Sequence, residues 1–207
     1  MFLLYQKKHK AFQKTVQIGG KLYDINADFR NILRIFAMLG DENIPGERKQ
    51  VRLREWLFED DVSEIVSVGE SINIFSRFIG MNSQVELYDK LIDTDSEPQF
   101  CYDFDAKEIY AGFLSEYGID LFDVDFLHWY KFKLLLENLP PESAFKRKIE
   151  LRFMDVENMS ALGGKKFGEL LAAKEAVQLP GKYESDESEE SQDIKEFNET
   201  WGKAGNN

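Results

Sequence analysis

The sequence predicts a mainly α-helical fold: a small helical domain with an N-terminal β-hairpin and a disordered acidic C-terminal tail. Three observations carry this. Apolar residues recur at three- and four-residue spacing in segment after segment, and each segment ends at a glycine or proline. One short alternating stretch is split by Gly19-Gly20, a dipeptide suited to the positive φ angles of a two-residue hairpin turn. After Pro180 the chain turns polar and acidic, with eight acids against three lysines from Lys182 to Asn207, a composition too poor in apolar side chains to order itself.

The hairpin is expected over 15–25, with Val16, Ile18, Leu22 and Ile25 as its apolar positions. Asn26 or Asp28 can cap the next helix, in which Phe29, Ile32, Leu33 and Phe36 share a face before Gly40. Pro45 opens a second helix, where Val51, Leu53, Trp56 and Leu57 alternate with Arg48, Lys49, Arg52 and Arg54, read as a solvated face. A third helix is expected from about Asp61 to Ile79, and 81–104 reads as a connection. Helical spacing returns in AKEIYAGFLSEYG, closed by Gly118. Asp123 or Asp125 is expected to cap VDFLHWYKFKLLLEN, which Pro140 and Pro141 end. Ser143 then caps a helix through Arg152, and the last helix runs from Lys165 to about Val177. The organisation is thus a basic flexible arm at 1–14, a helical domain at 15–180 and an acidic disordered tail at 181–207.

Length and charge narrow the function. A chain of 207 residues can bury a sizeable core, and 17 phenylalanines imply that much of it is aromatic. A formal charge of −12 argues against nucleic-acid binding, which draws its affinity from Lys and Arg on phosphates. Only the arm, with Lys7, Lys8, Lys10 and Lys14 and no acid, goes against this balance. Its apolar FLLY precedes the lysines and is too short for a secretion signal, and no window approaches a membrane span. With Cys101 alone an intrachain disulfide is impossible, which fits a reducing compartment. The expectation is a soluble intracellular protein with neither a membrane nor a nucleic-acid partner.

Catalytic chemistry is tested by asking for converging groups. His128 has Asp125 three residues before it, a spacing that lets a carboxylate orient an imidazole. However, the only other histidine is His9, and nothing places Cys101 nearby, so a buried hydrogen bond beside Trp129 is the plainer role. The acids of DTDSEPQFCYDFD lack the glycine and glutamate of a calcium loop, and Asp103 and Asp105 read as helix caps. LGGKKFGE lacks the phosphate-loop pattern. Catalytic, cofactor-binding and metal residues are therefore expected to be none. In the tail, Ile194, Phe197 and Trp201 are spaced for an amphipathic helix that could form on a partner.

The stretch from Tyr102 to Arg152 closely resembles the bacteriophage gene-product-fifteen family, encoded in the tail gene cluster of long-tailed phages. The matching residues are Tyr102-Asp103-Phe104, Ile109-Tyr110, Phe113, Tyr117-Gly118-Ile119-Asp120-Leu121, Leu127-His128-Trp129, Lys131-Phe132, Leu139, Ile149 and Arg152. YDINADFR at 23–30 resembles the family's opening, while the arm before Thr15 and the tail after Pro180 depart from its pattern. The resemblance implies a non-enzymatic tail assembly chaperone working in the cytoplasm of the infected host, or of a lysogen's host. Its implied partners are the tape-measure protein, and beyond it tail-tube subunits and further copies of itself. It implies Tyr117 to Leu121, Leu127, His128, Trp129 and Phe132 as the motif core, and a frameshifted longer form branching near Gly164-Lys165-Lys166. A structural tail or connector subunit present in the virion is the alternative.

Overall fold

The computed structural model describes residues 12–80, 99–155 and 164–179. The fold is mainly α. Among the described residues it has one two-stranded sheet and seven helices: β1 (Thr15–Ile18), β2 (Lys21–Asp24), α1 (Phe29–Gly40), α2 (Gly46–Leu57), α3 (Val68–Phe78), α4 (Ala106–Tyr117), α5 (Trp129–Glu137), α6 (Ala144–Arg152) and α7 (Gly164–Ala176). The predicted basic arm lies outside the described residues up to residue 11. The acidic tail lies outside them from residue 180, with Ile194, Phe197 and Trp201 in it.

The hairpin closes through Gly19 and Gly20 at φ 55° and 84°, the left-handed values for which glycine was expected. Its register pairs Val16 with Tyr23 and Gln17 with Leu22. Opposite partners share a face, so Tyr23 goes into the core with Ile18, and Leu22 stands 63% exposed beside Gln17. Leu22, one of the hairpin's apolar positions in the sequence, thus faces outward, because the two-residue turn puts Tyr23 on the face of Val16.

Helix starts differ from expectation at two places, each time because a better cap lies downstream. α3 begins at Val68, where the Ser67 side chain accepts from Glu70 N, and not near Asp61. Asp61 instead accepts from Ser63 N within a turn. α5 begins at Trp129 with His128 as its N-cap, so neither Asp123 nor Asp125 serves. Asp105 occupies the cap position of α4, but its carboxylate reaches back to the Cys101 amide at 3.0 Å.

The chain divides into two compact units, residues 1–147 and 148–207. In the first, α1 packs on α2 and α5, α2 on α3, and α4 on α5. Its aromatic core centres on Phe132, which is 1% exposed. Phe132 stacks on Phe29 at 4.7 Å, Phe113 at 5.0 Å and Trp129 at 5.8 Å between ring centroids. Tyr102 also packs on it, and burial, aided by the Glu137 charge, pushes that phenol up to about 12. Where α4 and the end of α5 come close, Gly112 leaves room for Leu139, whose Cδ1 lies 3.0 Å from where a Cβ would stand.

In the second unit Phe167 and Leu171 of α7 form a small core with Leu151, Met154 and Leu170. The Arg152 Nε donates to Val177 O at 2.8 Å, supplying a partner to a carbonyl just beyond the end of α7.

Because Phe132 joins α1, α4 and α5, its truncation removes one ring from three stacks. Phe132→Ala is expected to lose about 3–5 kcal/mol, read as a fall in the urea midpoint at unchanged slope. An unchanged midpoint would mean that the stack is not the core.

Candidate functional site

YDINADFR, residues 23–30, is the structural hinge of the first unit, and almost every residue in it has a defined task. Asp24 O accepts from Glu59 N and Asn26 N donates to Leu57 O, which docks one side of the stretch on the end of α2. On its other side Phe29 N donates to Leu127 O and Ala27 O accepts from Trp129 N, at 2.9 and 2.8 Å. A six-residue run, 24–29, is thus bonded to partners about thirty and about one hundred residues away, and the side chains secure both junctions. Asn31, buried, donates from Nδ2 to Asn26 O and Trp56 O and accepts from Arg34.

Asp28 is the cap of α1 and the hub of the second junction. Its Oδ1 accepts from the Arg30 amide at 3.0 Å and from Arg30 Nε at 2.8 Å, and its Oδ2 from Arg30 Nη2 and from the Leu127 amide. Burial pushes this carboxyl up, but the Arg30 side-chain bond, the two amides and the Arg30 charge outweigh it and hold the group below its ordinary value. Arg30 Nη2 also donates to Asp125 O. Together Asn26, Asp28, Arg30, Asn31, Arg34, Asp125 and Phe126 line an open cleft of about 390 Å³. Its polar groups largely satisfy one another, and Arg34 lies over the Trp56 ring at 4.2 Å, so the cleft serves as a polar clasp between chain segments.

Across the clasp, His128 Nδ1 accepts from the Tyr130 amide at 3.1 Å, which assigns the ring proton to Nε2. The ring is buried among Phe12, Phe78 and Phe126. Among the described residues its Nε2 has no hydrogen-bond partner, nor has Trp129 Nε1. The histidine therefore sits beside Trp129 as expected, but its hydrogen bond is a helix cap made by the other nitrogen. Burial holds its pKa below the usual value. The Gln13 backbone lies near enough to oppose this, though outside hydrogen-bonding geometry with Nε2, and Lys14 adds to the depression.

The remaining motif residues build the corner between α4 and α5. Tyr117 donates from its hydroxyl to Leu135 O at 2.9 Å. Gly118 takes φ 62°, its amide bonding to Leu114 O, and Ile119 N reaches Phe113 O. Asp120 Oδ1 accepts from Phe122 N at 2.9 Å, its Oδ2 from the Tyr110 hydroxyl at 3.2 Å, and its carbonyl from Asp123 N and Val124 N. Leu121 turns inward. Leu127 and Trp129 are buried on either side of His128, with Leu127 outside the helix.

This corner holds up one side chain that sequence reasoning passed over. Phe122 is 84% exposed, its ring 5.1 Å from that of Tyr110, and Leu114, one helical turn beyond Tyr110, is 45% exposed. The three form an apolar patch on a turn fixed by Asp120. The alternation of Leu121 and Phe122 was visible, but nothing local says which of the two faces out. From residue 108 to 127 the chain carries five acids and no Lys or Arg, so the patch has an acidic rim that includes Asp120 and Asp123. Among the described residues no three His, Cys, Asp or Glu side chains gather as metal ligands would, and no helix is long and apolar enough to cross a membrane.

A family model described as Bacteriophage Gp15 protein matches residues 9–179. The chain belongs to this family. The match starts inside the basic arm, at residue 9, so Phe12 and Lys14 belong to the shared region and the expected departure before Thr15 is narrower than the composition implied. The Gp15 region ends at residue 179, leaving out the acidic stretch after Pro180. No curated protein and no solved structure matches the chain.

Two consequences are measurable. Asp28→Ala removes a cap and strands the Leu127 amide, a loss of about 0.5–2 kcal/mol for the cap and about 1–3 kcal/mol for the buried donor. Asp28→Asn, which can still cap, is expected to lose less; equal thermal melts for all three proteins would refute the assignment. For His128 the folded pKa lies below the unfolded value of about 6.5, so the unfolded chain takes the proton first. Stability is complete above about pH 6.5 and falls as pH drops through the folded value, a window above the one near pH 4 in which Asp28 contributes. His128→Asn keeps a capping side chain and is expected to flatten the upper window in urea titrations run at successive pH values.

Proposed function

We propose that this chain is a non-enzymatic tail assembly chaperone that binds the tape-measure protein in the cytoplasm of the infected host and aids assembly of the tail tube. Membership of the Bacteriophage Gp15 family makes it a phage structural or assembly-related protein. The observation that carries the finer reading is the patch of Phe122, Tyr110 and Leu114. A phenylalanine 84% exposed on a turn pinned by four hydrogen bonds to Asp120 is presented to solvent by construction. Exposed apolar surface of this kind marks a place where another chain binds, and a long helical client offers apolar stripes to cover it. The acidic rim and the net charge of −12 keep a protein with such a patch soluble while it waits.

Co-expression with the tape-measure protein of the same phage, followed by pull-down, tests this. A soluble complex is expected. Phe122→Ser should weaken it by about 1.5–3 kcal/mol, the worth of burying one Phe side chain, which is roughly tenfold or more in affinity. A tape-measure protein that stays insoluble and unbound would overturn the chaperone reading. A complex indifferent to Phe122 would place the contact elsewhere.

A further inference from the structure

The basic arm enters the described structure at a telling place. Phe12 packs edge-on against His128 and Tyr130, at 5.6 and 5.4 Å, and Lys14 stands over the Phe126 ring at 3.5 Å. The arm therefore meets the folded unit at the end of the acidic corner, not at a neutral surface. Residues 1–11 precede this anchor and hold Phe2, Leu3, Leu4 and Tyr5, then Lys7, Lys8 and Lys10, with no acid. From Phe126 back along the corner come Asp125, Asp123 and then Phe122 with its neighbours Tyr110 and Leu114. The two orders match: moving away from the Lys14–Phe126 contact, the arm offers lysines first and apolar side chains last, while the corner offers carboxylates first and the apolar patch last.

We propose that residues 1–11 of the chain's own N-terminal arm dock on this corner, with Lys7, Lys8 and Lys10 along Asp125 and Asp123 and the FLLY segment covering Phe122, Tyr110 and Leu114. Reach permits it. Phe122 is four residues from Phe126 and so at most about 14 Å away, whereas eleven extended residues span about 36–40 Å. Charge selects the occupant. The acidic segment after Pro180 has the sign of the rim, and a second copy pressed face to face would set the same carboxylates against each other at a net charge of −12 per chain. The arm joins an apolar run to three lysines with no acid among them, and its attachment beside Phe126 gives it a high effective concentration there. The inference rests on the patch and the anchor and holds whether or not the client is a tape-measure protein.

The test places a nitroxide at Lys8→Cys in a full-length Cys101→Ser background and reads amide signals of the isotope-labelled protein. At low salt the amides of Phe122, Asp123 and Leu114 are expected to lose most of their intensity. They should recover at about 1 M salt, where the Debye length falls to about 3 Å, and in Asp123→Lys with the label in place. Undiminished signals at low salt would overturn the proposal. So would broadening that appears equally when labelled and isotope-bearing chains are separate molecules, since the occupant would then be a second copy. A variant that keeps Cys101 gives an independent reading. Joint replacement of Lys7, Lys8 and Lys10 by Glu should shift the Phe122 and Asp123 amides, and unchanged positions would count against docking.

Discussion

One extended stretch, residues 24–29, bonded through its backbone on both sides, sets the architecture of the first unit. A two-stranded hairpin is marginal alone, and helices of nine to twelve residues gain little from their own backbone bonds in water. What fixes them is the run that leaves β2, ties to Leu57 and Glu59 on one side and to Leu127 and Trp129 on the other, and then turns into α1. That second tie closes a loop of roughly one hundred residues, at an entropic cost that grows only slowly with loop length. The return is large, because the same bonds set Trp129 and, one turn later, Phe132 against Phe29 and Phe36. Backbone pairing and aromatic stacking are thus a single event seen from two sides.

The clasp has a polar cost that the aromatic core carries. His128 caps α5 only in its neutral form, since a protonated ring has no acceptor for the Tyr130 amide. The ring lies in a setting that disfavours charge through burial and through Lys14. Among the described residues its Nε2 and the Trp129 Nε1 have no partner, and a buried donor left so costs about 1–3 kcal/mol. A serine would cap with a smaller buried polar group. A histidine fills the same position with an aromatic face that packs against Phe12, Phe78 and Phe126, which a hydroxyl or carboxylate could not do.

Which features could be read beforehand follows from the range of the forces involved. The hairpin turn, the body of each helix and the stops at Gly118 and Pro140 depend on residues a few places apart, and the sequence displays them. Leu22 against Tyr23, Asp61 against Ser67 and Asp125 against His128 depend on register or on a distant partner. His128 caps because residues 27–29 arrive beside it, and no periodicity in 117–132 contains that fact. The basic cluster of α2 shows the same limit. Lys49 and Arg54 look like surface charge, yet each donates to carbonyls outside its helix, Leu39 for one and Ser63 with Val66 for the other. Arg48 and Arg52 are the exposed pair.

Phe122 is where folding and function separate. Most other large residues of the 117–132 motif are explained by burial, a cap or a backbone bond, and Phe126, 39% exposed, has Lys14 over its ring. Phe122 is held by its backbone while its side chain stands in water, so its identity contributes little to the folded state beyond an edge of contact with Tyr110. Asp120 explains why the corner is rigid, but not why it carries a phenylalanine. A residue whose backbone is constrained and whose apolar side chain is displayed lowers the entropic cost of association, because the partner meets a fixed anchor and not a mobile one. The same rigidity makes the patch a hazard for self-association, and the carboxylates at 120, 123 and 125 set like charges beside it that oppose such contact.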